Sequence, residues 1–152
     1  MVPLFDQPED DEIRDPVRGR LDFRPSTSAF PGITAPPGSV TWHLNVGEDG
    51  LDELQSVITA GLRAATDEAL YRLDRQHVGF RFDPDRVGRS GQPPWPGHAY
   101  PDGDYHLYVT RDLRLGTFGH PWEHARCVFG ESLVAQVERR LTELLGLPVR
   151  RS

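Results

Sequence analysis

The stretch Asp104-Tyr105-His106-Leu107-Tyr108-Val109-Thr110 alternates Tyr105, Leu107 and Val109 with His106, Tyr108 and Thr110, a period of two that makes a strand with two different faces. Pro101-Asp102-Gly103 supplies a turn before it and Arg111-Asp112 a turn after it. Two further short strand-like runs follow, residues 115–118 and 125–129, so this part of the chain predicts an antiparallel meander. Upstream, Val40, Trp42, Leu44 and Val46 alternate with Thr41, His43 and Asn45 and predict another strand. Phe80 and Phe82 around Arg81 predict a shorter one that ends at Asp83-Pro84. Between them, Leu51, Leu54, Ile58, Leu62, Ala65, Ala69 and Leu73 recur at helical spacing and predict a long helix over residues 51–73. Gly61 in its middle marks a close crossing or a bend. Leu133, Val137, Leu141, Leu144 and Leu145 line one face of a closing helix, with Gly146 and Pro148 as its stop signal. The expectation is an α+β fold: an antiparallel sheet of about four to six strands with two main amphipathic helices packed on one face.

The rest of the chain bounds what this domain can be. At 152 residues and 17.1 kDa it is long enough for one domain with a real core. Residues 1–20 are acidic and contain few apolar groups, and they are expected to form a flexible arm, with residues 21–152 as the domain, so that removal of residues 1–18 is expected to leave the fold intact. Residues 85–103, rich in glycine and proline, read as a flap, and Trp95, His98 and Tyr100 within it argue for order. No apolar run is long enough to span a bilayer and the first residues lack a secretory pattern, so a cytoplasmic location and no membrane contact are expected. A net charge of −6 argues against nucleic acid as a partner. All 17 basic residues are arginine, which removes Schiff-base chemistry and lysine-dependent phosphate loops. The single cysteine, Cys127, excludes an internal disulfide and a multi-thiolate metal site, and its apolar strand context makes it an inert thiol.

The run Gly116-Thr117-Phe118-Gly119-His120-Pro121-Trp122-Glu123, preceded by Asp102-Gly103-Asp104-Tyr105 and followed by Cys127-Val128-Phe129-Gly130, resembles the bacterial family catalogued as domain of unknown function 2716. The resemblance extends to Phe23-Arg24-Pro25-Ser26, Phe30-Pro31-Gly32, Ser39-Val40-Thr41, Leu73-Asp74, Gln76-His77 and Phe82-Asp83-Pro84, and leaves the acidic arm outside it. It implies a single domain and brings no activity with it. The order of strands and the closing helix is also similar, in topology, to the later half of Smi1/Knr4-type immunity proteins.

Several residues are candidates for chemistry. His120-Pro-Trp-Glu123-His124 spells the inverted zinc-peptidase signature, but Gly116, Gly119 and Pro121 and the strand that follows keep its two histidines off one helical face. His98, His106, His120 and His124 are therefore expected not to converge on a metal, and no cofactor is expected. His120 and Glu123 could work as acid and base, with His77 as a third catalytic candidate should the end of the long helix meet the meander. Equally, His120 and Glu123 could cap the Gly-His-Pro turn while Trp122 fills the core, and His77 could cap the helix. Trp95, Asp104, Tyr105 and Trp122 are the binding candidates, since sites combine aromatic surface with a few polar groups. Asp102-Gly103-Asp104 also reads as ordinary turn chemistry.

Two functions fit these residues. One is a non-catalytic binding or immunity-type protein whose partner is a small molecule or a basic protein. The other is a small cofactor-independent enzyme using His120 and Glu123 beneath a flap that bears Trp95.

Overall fold

A computed structural model describes residues 1–5 and 7–152. Among these, the elements run β1 (Val2–Pro3), α1 (Pro8–Arg20), β2 (Val40–His43), α2 (Glu48–Ala65), β3 (Leu70–Leu73), β4 (Phe80–Phe82), β5 (His106–Thr110), β6 (Gly116–His120), β7 (Ala125–Phe129), α3 (Glu131–Leu145) and β8 (Arg150–Arg151). The fold is α+β. Its strands form one antiparallel sheet in the order β1-β4-β3-β5-β6-β7-β2-β8, eight strands where four to six were expected. The added strands are short edge pieces, Val2–Pro3 and Arg150–Arg151, and a central one, Leu70–Leu73, that the helical pattern had hidden.

That hidden strand corrects the long helix. The α-helix stops at Ala65, where Thr66 leaves helical geometry and its hydroxyl accepts the Glu68 N–H. Leu73 matched the helical stripe by coincidence: in β3 it faces away from α2, alternating with Arg72. His77, expected as a helix cap, lies in the turn between β3 and β4 instead.

Both sheet faces are covered. Helices α2 and α3 pack together over Val40, Trp42, Leu70, Tyr108 and Val128. Gly61 sits at their crossing, where an added Cβ would collide with Val137 Cγ1. Two effects oppose each other in Gly61→Ala: better helix propensity gains about 1 kcal/mol, while overpacking costs about 1–3 kcal/mol. Since the clash falls on a branched, fully buried partner, we expect net destabilisation, read as a lower urea midpoint; an unchanged or raised midpoint would show that the helices can part freely.

Helix α1 covers the other face, and it corrects the flexible arm. Pro8 opens it, Glu9, Asp10 and Asp11 occupy its first turn and Arg18 and Arg20 its last, the charge order that the helix dipole favours. Ile13 and Val17, one turn apart, and Leu21 just beyond are buried with Leu4 against Tyr71, Leu73, Leu107 and Val109. The acidic groups that suggested disorder are used in pairing: Glu9 accepts from Tyr71 and Arg81, Asp10 from Arg14, and Glu12 from Arg111.

Residues 85–103 contain no helix or strand, yet Val87 and Ala99 are buried and Trp95 packs edge-on against Phe82 at 5.1 Å, with the Arg63 guanidinium 5.3 Å above the indole. This segment lies on the α2/α3 side of the sheet. His120 projects from the opposite side with Phe118, so Trp95 and His120 are separated by the sheet itself and no flap bearing Trp95 covers His120.

Candidate functional site

His120 closes β6 and is 1% exposed. Its Nδ1 accepts the main-chain N–H groups of Trp122 and Glu123, each at 3.2 Å, so the neutral ring carries its proton on Nε2. That nitrogen has no hydrogen-bond partner among the described residues and lies beneath the Phe30-Pro31-Gly32 turn, with the Phe30 and Tyr105 rings edge-on at 4.8 Å each. Burial holds the imidazole below the ordinary histidine value, and the nearby Arg150 works in the same direction against Glu123. The ring is thus a neutral cap of the turn.

Glu123 points elsewhere. Both of its carboxylate oxygens accept from Arg150, at 2.9 and 3.0 Å, which ties the β6–β7 turn to the C-terminal edge strand. His124, with φ of 53°, takes the tight turn position and its carbonyl accepts the Leu44 N–H. Trp122 is 51% exposed, so the expectation that it fills the core is corrected: the strand ends at His120 and the turn throws the next ring outward. Cys127 is buried, and burial pushes its thiol up, away from nucleophilic character.

His77, Asp104 and Tyr105 come together where sequence spacing could not place them. Asp104 Oδ2 accepts the main-chain N–H groups of Arg75 and Gln76, at 3.1 and 3.0 Å, and Oδ1 accepts that of Tyr105 at 2.7 Å. Asp74 accepts the His77 N–H at 2.7 Å, lies 3.0 Å from His77 Nδ1 and pairs with Arg72 NH1 at 2.5 Å. Burial works against ionisation of Asp74, yet Arg72 and the His77 donors outweigh it and hold the carboxyl below its ordinary range. Asp74, His77 and Asp104 offer ligand atoms within 4.8 Å of one another, and most lone pairs of the two carboxylates are taken by these donors. The trio clamps the β3–β4 turn to the start of β5.

The clamp builds one side of an open cavity of about 300 Å³. Its walls are Phe23, Leu73, Tyr105, Leu107 and Phe118 from the sheet and the lead-in segment, and Val17 from α1. Tyr105 is fixed there at both ends of its hydroxyl, which donates to the Ser26 carbonyl at 3.0 Å and accepts the Ser26 N–H at 2.8 Å. Phe23 meets it edge-on at 4.9 Å and Phe118 stacks on it at 5.8 Å. Three arginines, Arg14, Arg18 and Arg75, stand at the mouth and continue into a second depression lined by Phe5, Gln76 and His77. Arg14 is engaged through all three nitrogens, by Asp10 and by the Asp74 and His77 carbonyls. Among the described residues, Arg18 pairs with Asp15 alone, on an exposed surface, and Arg75 makes no ion pair.

Of the sequence candidates, Tyr105 lies in this cavity, Asp104 and His77 support it from behind and beside it, and His120 touches it through the Tyr105 ring. Glu123, Trp122 and Trp95 lie outside it. Sequence reading missed Arg14, Arg18, Phe23, Arg75 and Phe118. The available signal was Ile13, Val17 and Leu21 at four-residue spacing, which turns the arm into a helix and puts Arg14 and Arg18 on one edge of it.

The buried histidines set a pH dependence. Burial also lowers His106, with Arg126 and Arg72 near it and a backbone hydrogen bond to His98 opposing the shift. A base held below its ordinary value is neutral in the fold, whereas the unfolded chain takes up protons first as pH falls through about 6.5, so stability drops there. Asp74, held low, adds a second loss as pH falls through its ordinary value of 3.8. We expect urea midpoints to fall between about pH 7 and pH 5 and fall again below about pH 4; a level profile down to about pH 5 would contradict neutral burial of the two histidines.

Comparison with known proteins places these residues in context. The sequence profile of a family described as "Protein of unknown function (DUF2716)" matches residues 4–134, a span that takes in α1, all the cavity walls and most of the sheet. A curated relative, "Uncharacterized protein YxiI" of Bacillus subtilis (strain 168), is 32% identical over 91 residues, 58% of this chain. The chain spans 56% of that relative's length. No solved structure matches significantly. Among the described residues, no helix is long and apolar enough to cross a membrane.

Proposed function

We propose, starting from the premise that the chain belongs to the DUF2716 family and that its function must be read from the site itself, that this protein is a non-catalytic binding protein for a small amphipathic acid. One observation carries the reading: an aromatic-walled cavity of about 300 Å³ opens onto Arg18 and Arg75, and among the described residues Arg18 pairs with the exposed Asp15 and Arg75 forms no ion pair. That volume and lining are those of a small-ligand pocket. The apolar body of the ligand packs on Phe23, Tyr105 and Phe118, and its carboxylate meets the guanidinium groups at the mouth.

The enzyme reading loses its parts in this geometry. His120 uses Nδ1 as a cap, both oxygens of Glu123 are held by one nitrogen of Arg150, and Trp95 lies across the sheet. A basic protein partner draws less support from Glu9, Asp10 and Glu12, which pair with arginines of this chain.

Calorimetric titration with octanoate and with octanol tests the proposal. Octanoate is expected to bind at least about tenfold more tightly than octanol, equivalent to about 1.4 kcal/mol of charge recognition. Arg18→Gln combined with Arg75→Gln should erase that preference while leaving octanol binding unchanged. Equal affinity for the two compounds in the unaltered protein would remove the acid from the proposal, and no binding of either would remove the pocket.

A further inference from the structure

The sheet face beneath α2 and α3 carries a second group of polar side chains, unrelated to the amphipathic-acid cavity on the opposite face. Arg72, Tyr108 and Thr117 are cross-strand neighbours on β3, β5 and β6, and the next row places His106, Gly119 and Arg126 side by side. Arg126 is 0% exposed, and its guanidinium bonds to main-chain carbonyls alone, that of His106 at 3.2 Å and that of Ala99. No carboxylate pairs with it among the described residues. Burial pushes it down to about 10, which leaves it charged at neutral pH.

A buried cation without a counter-charge is costly, and this one has company. Among the described residues, the buried side-chain atoms on this face without a well-formed hydrogen bond are Arg72 Nε, Arg126 Nε, Trp95 Nε1 and Thr117 Oγ1, with the Tyr108 hydroxyl the nearby acceptor for Trp95 and Arg72. The three nitrogens can only donate, and the hydroxyl can donate or accept, so the deficit is chiefly one of acceptors. Gly119 makes the room: a Cβ there would lie 2.7 Å from Arg126 NH2.

Besides the His106 carbonyl and the Asp74 carboxylate, the acceptors of the cluster come from one segment. Pro96 O receives the Tyr108 hydroxyl at 2.5 Å, His98 O lies 2.9 Å from His106 Nδ1, and Ala99 O receives Arg126. The segment is held from the helix side by Gln55, whose side-chain oxygen accepts the Ala99 N–H at 2.7 Å. Beside it, an open depression of about 610 Å³ is lined by Arg72, Phe80, Pro94, Trp95, Pro96 and Gly97, so two members of the cluster are reached from solvent. Gly97 sits against both the Arg72 guanidinium and the Tyr108 hydroxyl, where its missing side chain would lie 2.7 and 2.8 Å from them.

We propose that residues 96–101 are a lid over an oxyanion site formed by Arg126, Arg72 and the Trp95 indole, in which the oxygens of a phosphate or carboxylate group replace the lid carbonyls. The ligand enters at the Arg72 and Trp95 depression, displaces the lid's acceptors and supplies the charge that Arg126 lacks. Phosphate and carboxylate present the same acceptor geometry to a guanidinium, so the chemistry they share is what the site recognises.

Two-dimensional nitrogen–proton spectra of the full chain test this with inorganic phosphate and with acetate as probes, at ionic strength held constant with sodium chloride. The expected result is a saturable shift of the Trp95 indole and of the Arg72 and Arg126 Nε–H signals, with a Kd of about 1 mM or tighter for one probe, while the Trp42 and Trp122 indoles stay in place. Saturation by phosphate alone assigns a phosphate-bearing ligand, and saturation by acetate alone or by both assigns a carboxylate-accepting site. Arg72→Gln keeps the shape and should weaken the preferred probe at least about tenfold, which keeps the test sound if Arg126→Met does not fold. Shifts that grow linearly and match those in chloride, or saturable shifts confined to Arg18 and Arg75 on the other face, would overturn the lid site.

Discussion

Deletion of residues 1–20 is expected to leave a chain that no longer folds cooperatively. Leu4, Ile13 and Val17 are buried in that segment, and they seal Tyr71, Leu73 and Val109 on the far side of the sheet. Losing each buried aliphatic group costs about 2–5 kcal/mol, and three such losses rival the total stability of about 5–15 kcal/mol usual for a domain. The deletion also strips the sheet edge of β1 and leaves the Tyr71 hydroxyl and Arg81 without Glu9. Circular dichroism with urea titration checks it: the shortened chain should show no cooperative transition, whereas a thermal midpoint within a few degrees of the full chain would return this segment to the status of an arm.

His120→Ala should be the most damaging single substitution in the Gly-His-Pro turn. It removes a fully buried ring, typically about 3–5 kcal/mol for a large aromatic truncation, and it strands the Trp122 and Glu123 N–H groups at about 1–3 kcal/mol each where water cannot replace the acceptor. Adding these ranges would double count, so we expect about 3–5 kcal/mol in urea unfolding. Trp122→Ala, by contrast, touches a half-exposed ring and should cost less than about 1 kcal/mol. The reverse order of the two effects would mean that the imidazole is held for something other than the fold.

The sequence was informative where one periodicity had no rival. The alternation through Tyr105 to Thr110 and through Ala125 to Phe129 left one reading, and both strands stand within two residues of their expected bounds. Leu70–Leu73 was hidden because Ala69 and Leu73 also continued the helical stripe of α2, and only the break at Thr66 separates the two patterns. α1 was hidden by composition: its charges outweigh its apolar groups, and the arginines that neutralise them, Arg81 and Arg111, lie far along the chain. The same long-range closure made the cavity unreadable. Tyr105 was visible as an aromatic beside a turn, but Phe23, Arg18, Arg75 and Phe118 come from four separate segments that only the folded chain brings together. His120 and Glu123 were adjacent in sequence and therefore conspicuous, yet the strand end turns one inward and the other to Arg150.

The central claim is that the cavity between α1 and the sheet holds an amphipathic acid. Its most direct measurement is the pattern of nuclear Overhauser contacts between octanoate and the isotope-labelled protein. The account predicts contacts from the ligand methyl and methylene protons to the Phe23, Tyr105 and Phe118 rings, with shifts of the Arg18 and Arg75 side-chain signals in the same titration. Contacts confined to the exposed Phe5, Trp122 or Leu147, or none at saturating ligand, would contradict it.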